Sequence, residues 1–71
     1  MIKLDNIREK IIEAIKQSGL TQTEIANRLG VKQATIGQYL SGRAMPALDT
    51  FANLCKILDL DSNEILCISN K

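Results

Sequence analysis

The chain has 71 residues, of which 45% are hydrophobic but only one is Phe and one is Tyr, and its net charge is +1. A chain of this length has room for one domain with a thin core, which dimerisation commonly helps to stabilise. The charge by itself does not favour a nucleic-acid partner, and the scarcity of aromatic residues argues against binding single-stranded bases by stacking.

The first predicted helix begins at a capping residue, either Asp5 or Asn6, and ends near Ser18 before Gly19. Leu4 is expected to pack over its start. Its apolar face consists of four isoleucines at helical spacing: Ile7, Ile11, Ile12 and Ile15. This helix is predicted to be part of the scaffold.

The second predicted helix has a signal at each end. Thr21 and Glu24 have the spacing of a capping box, in which each side chain accepts a backbone N–H from the other residue, so the helix should begin at Gln22. It should end at Leu29, because Gly30 can adopt the left-handed conformation that often follows a helix. Its apolar face comprises Ile25, Ala26 and Leu29.

A third predicted helix follows after a tight turn. Lys32 and Gln33 open it, and it runs to about Leu40 before Ser41 and Gly42 end it. Its apolar side comprises Val31, Ile36 and Tyr39. Because the second and third helices can share one core, they are predicted to form a helix-turn-helix motif.

The small side chain of Ala26 favours a steep crossing of these two helices, since a short turn brings their backbones close together. Judged on glycine and alanine alone, residues 22–41 could instead be an ordinary antiparallel helix pair in a small bundle. The surrounding residues favour the helix-turn-helix.

The positive charge is concentrated in the same region. Residues 1–24 sum to zero and residues 49–71 to −2, whereas residues 25–48 contain no acid. Three basic residues lie in that central segment: Arg28, Lys32 and Arg43. Neutralisation of a DNA backbone requires such a surface, although ordinary scatter of charges would also produce it.

The C-terminal part of the chain is predicted to be scaffold. A fourth helix should span about Leu48–Leu58, and Asp61 and Glu64 repeat the capping-box spacing for a final helix over 62–67. The fourth helix has a broad apolar face: Leu48, Phe51, Ala52, Leu54, Cys55 and Leu58. Residues 70–71 are expected to fray.

The two cysteines do not predict a metal site, redox chemistry or a disulfide. Cys55 is expected to be buried in the fourth helix and Cys67 to be partly exposed, and neither has a neighbouring metal-ligand pattern. The chain has no His. An enzyme and a cofactor are therefore not expected.

The segment Leu20–Gly42 resembles the Cro and phage-repressor (XRE-type) helix-turn-helix family, whose motif reads roughly L-T-Q-x-E-[LI]-A-x-x-[LA]-G-V-x-Q-x-[ST]-I-x-x-[YLW]-x-x-G. A looser likeness extends upstream to Ile11 and downstream over Pro46–Leu58. The resemblance implies an all-α, lambda-repressor-like bundle of five short helices, which dimerises on an operator with its third helix in the major groove.

Two departures from the family pattern stand out. Relatives often carry an arginine at the position of Ile15 and a glutamate at that of Leu40, which form a buried ion pair that touches phosphate. Replacing both partners by aliphatic residues should preserve the fold and remove that contact. Lys32 stands where Ser or Thr commonly caps the third helix, and a lysine cannot accept the N–H bond.

The outer face of the third helix, over about residues 33–40, is predicted to read bases. Gln33 is the first candidate, because its amide matches the donor and acceptor of adenine. Ala34 would pack on a thymine methyl, Gln38 lies one turn further on, and Thr35 would reach a base edge or a phosphate. Both glutamines could also be ordinary solvated residues. The resemblance further implies that Gln22 braces Gln33.

Five residues are candidates for contact with DNA phosphates. Gln22 lies at the start of the second helix, where free N–H groups favour an anion. Arg43 lies in the loop after the third helix, and Lys32 lies at the start of that helix. Thr21 and Thr23 are weaker candidates at the start of the second helix.

The expected partner is a double-stranded DNA operator bound by a homodimer, formed at least on DNA. Twofold symmetry would place the two recognition helices about 34 Å apart and predicts a palindrome with half-sites about 10 base pairs apart. The resemblance places the interface around residues 60–66, which could instead simply close the core. We expect a single domain over residues 1–71 that acts as a repressor and binds no small-molecule ligand.

The main alternative is a helix-turn-helix module that binds a protein, such as an antitoxin-like or recombination accessory factor. A DNA-binding protein should lose affinity steeply as salt rises, whereas such a module should not. The sequence shows neither a signal-peptide core nor an apolar stretch of membrane length, so a cytoplasmic protein without membrane contact is expected.

Overall fold

Five α-helices make up the fold, and residues 1–69 contain no β-strand. The computed structural model describes these residues, so the expected fraying of Asn70 and Lys71 lies outside it. The helices are α1 (Leu4–Gln17), α2 (Gln22–Leu29), α3 (Gln33–Ser41), α4 (Leu48–Leu58) and α5 (Ser62–Ile65). They form a bundle of 33 × 23 × 21 Å, which confirms the predicted all-α architecture.

All five helices contribute to one hydrophobic core. Ile25, Ile36 and Leu54 are completely buried. The other buried residues are Ile11, Ile15, Ala26, Tyr39, Phe51, Cys55 and Ile65. No polar or charged residue within the described range is buried. Burial raises the pKa of the Cys55 thiol, and the predicted buried position of this cysteine is confirmed.

The pair of aliphatic residues at positions 15 and 40 belongs to this core. Ile15 is buried, and Leu40 is half-buried and packs against the core cluster. The two positions at which the resemblance implied a family ion pair are therefore apolar here. This arrangement avoids the desolvation of two charges.

The start of α1 differs from the prediction. The helix begins at Leu4, and its N-cap is Lys3, whose side chain makes no capping hydrogen bond. Asp5 lies inside the helix and pairs with Arg8 one turn later. Leu4 is 56% exposed and does not pack over the start. The predicted capping by Asp5 or Asn6 was therefore wrong.

The buried face of α4 is narrower than predicted. Leu48 is 84% exposed and Ala52 is also exposed. The apolar residues that do face the core are Phe51, Leu54, Cys55 and Leu58. These four fall within about 100° around the helix, and Leu48 and Ala52 lie beyond the edge of that stripe.

The last helix is shorter than predicted. It ends at Ile65, and Cys67 has a left-handed backbone with φ of 62°, which stops a helix from continuing. Cys67 is half-buried, as predicted. Asp61 is the cap, as predicted, and its carboxylate accepts the backbone N–H of Asn63 at 3.0 Å. The capping box predicted with Glu64 does not form within residues 1–69, because the Glu64 side chain does not accept the N–H of Asp61.

Candidate nucleic-acid interface

The start of α2 has the predicted capping box. Thr21 Oγ1 accepts the N–H of Glu24 at 3.1 Å, and Glu24 Oε1 accepts the N–H of Thr21 at 3.0 Å. Hydrogen bonding to the Glu24 carboxylate, first by the backbone of Thr21 and then by its side chain, lowers the pKa of Glu24 below its ordinary value of 4.5. Because the Thr21 hydroxyl is engaged in capping, it is less free to bind a phosphate.

The turn between α2 and α3 forms as its glycine predicts. Gly30 has a left-handed backbone with φ of 77°. The carbonyl of Ala26 accepts the N–H groups of both Gly30, at 2.8 Å, and Val31, at 3.0 Å. Ala26 itself is only 3% exposed. Its methyl group therefore lies inside the bundle, where α2 packs on α3.

The outer face of α3 presents several of the candidate base-reading residues. Gln33, Ala34 and Gln38 are exposed, and no hydrogen bond within residues 1–69 engages either amide side chain. Thr35 is half-buried, and its backbone N–H donates to the carbonyl of Lys32 at 3.0 Å. Since Ile36 and Tyr39 on the opposite side are buried, α3 is divided into an apolar inner face and a polar outer face.

The Gln22 side chain does not brace Gln33. A Cβ atom placed on Gly37 would lie 3.6 Å from Gln22 Oε1, and no hydrogen bond joins the side chains of Gln22 and Gln33 among the described residues. The amide of Gln22 therefore lies over Gly37, one turn beyond Gln33. Because Gly37 has no side chain, the Gln22 amide has room to lie there.

The candidate phosphate-binding residues are exposed on both sides of α3. Lys32 precedes the helix and, as predicted, forms no side-chain cap. Arg43 follows it, and the Arg43 backbone N–H donates to the carbonyl of Gln38 at 3.0 Å. In the part of the chain that the structure describes, no carboxylate pairs with Lys32 or Arg43. Gln22 and Thr23 are exposed at the start of α2.

Sequence reasoning missed Arg8, which lies against the end of α3. A Cβ atom placed on Gly42 would be 3.3 Å from Arg8 Cδ. The sequence did contain a signal for this position, because Arg8 precedes Ile11 and Ile15 by three and seven residues. That spacing places it on the buried face of α1.

Comparison with known protein families agrees with this geometry. The family model described as helix-turn-helix matches residues 11–65, which include the whole of α2, α3, α4 and α5. The chain belongs to the XRE-type helix-turn-helix family. This is a family of DNA-binding regulators.

Several curated proteins are similar to this XRE-type chain. The HTH-type transcriptional regulators for conjugative elements SXT of Vibrio cholerae and pMERPH of Shewanella putrefaciens are each 37% identical over 41 residues, which cover 58% of this chain and 19% of the relative. Antitoxin HipB of Escherichia coli is 38% identical over 45 residues, or 63% of this chain and 51% of HipB. The chain thus spans from 19% to 51% of the length of these relatives. No solved structure matches significantly.

Two other features are absent from the described residues of this XRE-type domain. Within residues 1–69, no group of three His, Cys, Asp or Glu residues is arranged to hold a metal ion. None of the helices described is long and apolar enough to span a membrane.

Proposed function

We propose that the chain is a sequence-specific DNA-binding transcriptional regulator, a Cro-like repressor that reads a palindromic operator through the major groove. The outer face of α3 is the observation that carries this proposal. Its amides at Gln33 and Gln38 are exposed and make no hydrogen bond in the described range, and the exposed cations Lys32 and Arg43 flank them. Free amides between two free cations fit a base edge between two phosphates.

In this proposal four residues on or beside the outer face of α3 contact the bases. Gln33, near the N-terminus of the helix, pairs with the donor and acceptor of adenine, and Gln38 reads a second position one turn away. Ala34 packs on a thymine methyl. Thr35 is half-buried, so its hydroxyl reaches a base edge or a phosphate only at the margin of the contact.

The same proposal assigns five residues to the DNA backbone. Lys32 and Arg43 supply charge on either side of the reading helix. Gln22 and Thr23 lie at the N-terminus of α2, whose unpaired N–H groups and helix dipole favour an anion. Thr21 makes the smallest contribution, because its hydroxyl already accepts a capping hydrogen bond.

We further propose that residues 1–71 form one DNA-binding domain that acts in the cytoplasm as a homodimer, at least on DNA. In the segment over residues 60–66, Ile65 is buried and Leu60 and Leu66 pack against the core. These apolar residues close the monomer, so the contact between protomers would use the exposed residues 61–64. Sedimentation with and without operator measures this association.

Selection of bound sites from a random duplex pool tests the proposal directly. We expect a palindrome with half-sites about 10 base pairs apart. Competition of the selected duplex against a scrambled duplex of the same composition should show strong preference, and affinity should fall steeply with salt. Recovery of no common sequence, with equal affinity for both duplexes, would refute sequence-specific recognition.

A second candidate function is a protein-binding module related to antitoxins. The similarity to antitoxin HipB over 63% of this chain favours it. The salt titration separates the candidates, because only a DNA-binding protein should show a linear fall of log affinity with log salt. A protein-binding module would give little salt dependence and no footprint.

A further inference from the structure

Arg8 lies where α1 meets the end of the recognition helix. A Cβ atom on Gly42 would be 3.3 Å from Arg8 Cδ and 4.0 Å from its Nε. The stem of Arg8 therefore covers the left-handed glycine that ends α3, whose φ is 80°. The next residue is the exposed Arg43. Two cations from different parts of the chain thus lie at the same end of α3.

Folding does not by itself account for an arginine at this position. Arg8 Nε is buried and has no hydrogen-bond partner among the described residues, and a buried donor without an acceptor destabilises the folded state. The ion partner of Arg8 is Asp5, whose side chain is 84% exposed, against 28% for Arg8. An exposed ion pair of this kind contributes little to stability. A purely aliphatic side chain would cover Gly42 without the unpaired donor.

We infer that Arg8 is a DNA phosphate-binding residue and that Asp5 occupies its guanidinium in the absence of DNA. This inference rests on the proposed function. A planar guanidinium binds carboxylate and phosphate with the same paired geometry, so a phosphate can replace the Asp5 carboxylate without moving the stem. The weak, exposed pairing with Asp5 makes this exchange easy. Arg8 then extends the cationic surface of Arg43 onto α1.

Arg8→Met tests the inference because it keeps a long aliphatic stem over Gly42 and removes both the charge and the unpaired donor. We expect affinity to fall equally for operator and random duplexes. The slope of log affinity against log salt should decrease in magnitude by about 0.9. The melting temperature should stay the same or rise. Arg8→Lys, which keeps the charge, should retain the slope.

Lys10→Met is the matched control on the same helix. Lys10 lies about 200° around α1 from Arg8 and lines a groove with Asp61 and Glu64. Removing its charge should leave the salt slope unchanged. If Arg8→Met and Lys10→Met change the slope equally, the effect belongs to net charge and the inference is overturned.

Asp5→Asn provides the opposite test. Because it frees Arg8, it should raise affinity for every duplex at low salt, and the gain should be lost when combined with Arg8→Met. Glu13→Gln removes the same charge from α1 about 12 Å along the helix axis and should have a smaller effect. A gain that persists in the Asp5→Asn, Arg8→Met double variant would contradict a competition for Arg8.

The failure of this inference can be told apart from failure of the proposed function. If the unmodified chain shows no salt-dependent DNA binding, the proposed function and the inference both fail. If Arg43→Ala reduces the slope but Arg8→Met lowers only the melting temperature, Arg8 serves the fold alone and only the inference fails.

Discussion

The two helices of the motif are stabilised in different ways. Both ends of α2 are fixed by local chemistry, namely the capping box of Thr21 and Glu24 and the left-handed Gly30. In contrast, α3 begins at Lys32 without a side-chain cap and contains Gly37, which disfavours a helix by about 1 kcal/mol relative to alanine. It is held by its inner face, where Ile36 and Tyr39 are buried.

This difference shows how a short helix can present exposed base-contacting side chains without depending on them for its stability. Because packing against α2 and the core supplies the stability of α3, its outer residues are free of structural tasks. The side-chain amides of Gln33 and Gln38 make no hydrogen bond within the described range, since the bond from the Ser41 hydroxyl goes to the backbone carbonyl of Gln38. Changes to the inner face of α3 should therefore alter folding, and removal of its exposed side-chain amides should alter only binding.

Ala26→Leu should have the largest effect, because it disrupts the packing on which α3 depends. Ala26 is 3% exposed, and overpacking such a site destabilises the fold by about 1–3 kcal/mol. It should also displace α3 and abolish operator binding. Denaturant unfolding and a binding titration measure the two effects. Ala52→Leu, on the exposed side of α4, is the control and should stay within about 0.5 kcal/mol of the original stability. If both substitutions are tolerated equally, close packing at Ala26 is not required.

Gln33→Ala tests the outer face. It should weaken binding to the selected operator by about 1–3 kcal/mol and relax preference at one base pair per half-site. Stability should change by less than about 0.5 kcal/mol. Gln17→Ala, an exposed glutamine on α1, should change neither quantity. Equal loss of affinity on random DNA would assign Gln33 to general backbone contact and not to a base.

Gly37→Ala separates folding from binding within α3. The added Cβ would meet only Gln22 Oε1 at 3.6 Å, an ordinary contact, so the melting temperature should rise with a gain of about 0.8–1 kcal/mol. Operator affinity should fall, because we expect the helix to approach the DNA closely at this residue. Asn53→Ala, exposed on α4, should stabilise without changing affinity. An operator affinity unchanged by Gly37→Ala would mean that the glycine has no role at the DNA.

The smallest effect concerns the α2 cap and its dependence on pH. The folded pKa of Glu24 is lowered from 4.5, so ionised Glu24 stabilises the folded state. This contribution is present above the unfolded pKa and is lost as pH falls through the lower folded pKa. Glu24→Gln should flatten the stability profile below about pH 4.5, as followed by thermal melts. An identical profile in both proteins would show that the carboxylate charge does not contribute.

The motif could be predicted from the sequence because its signals are local. Thr21 and Glu24 determine the start of α2, and Gly30 its end, through hydrogen bonds and backbone conformation that involve only near neighbours in the chain. The buried inner face of α3 followed from the spacing of Ile36 and Tyr39. The roles of its outer residues in DNA binding stay a prediction, because base recognition depends on a partner outside the chain.

One feature was predicted wrongly because local signals compete, and two others depend on contacts between distant parts of the chain. Asp5 has the chemistry of a cap, but it pairs with Arg8 and the helix begins before it. Leu48 fits the apolar spacing of α4, but it lies beyond the edge of the packed stripe. The Gln22 amide lies over Gly37 and not on Gln33, since the space left by a missing side chain becomes apparent only once α2 and α3 are packed.

The uncharged interior has a practical consequence for handling the protein. Ile15 is buried and Leu40 packs against the core, and no charged residue is buried within residues 1–69. Concentrated salt screens exposed charges but strengthens or leaves intact the burial of apolar surface. A column bearing immobilised operator should therefore release the protein in high salt as a native, reusable fraction. Within the described residues, the salt that detaches the protein meets no buried ion pair that it could disrupt.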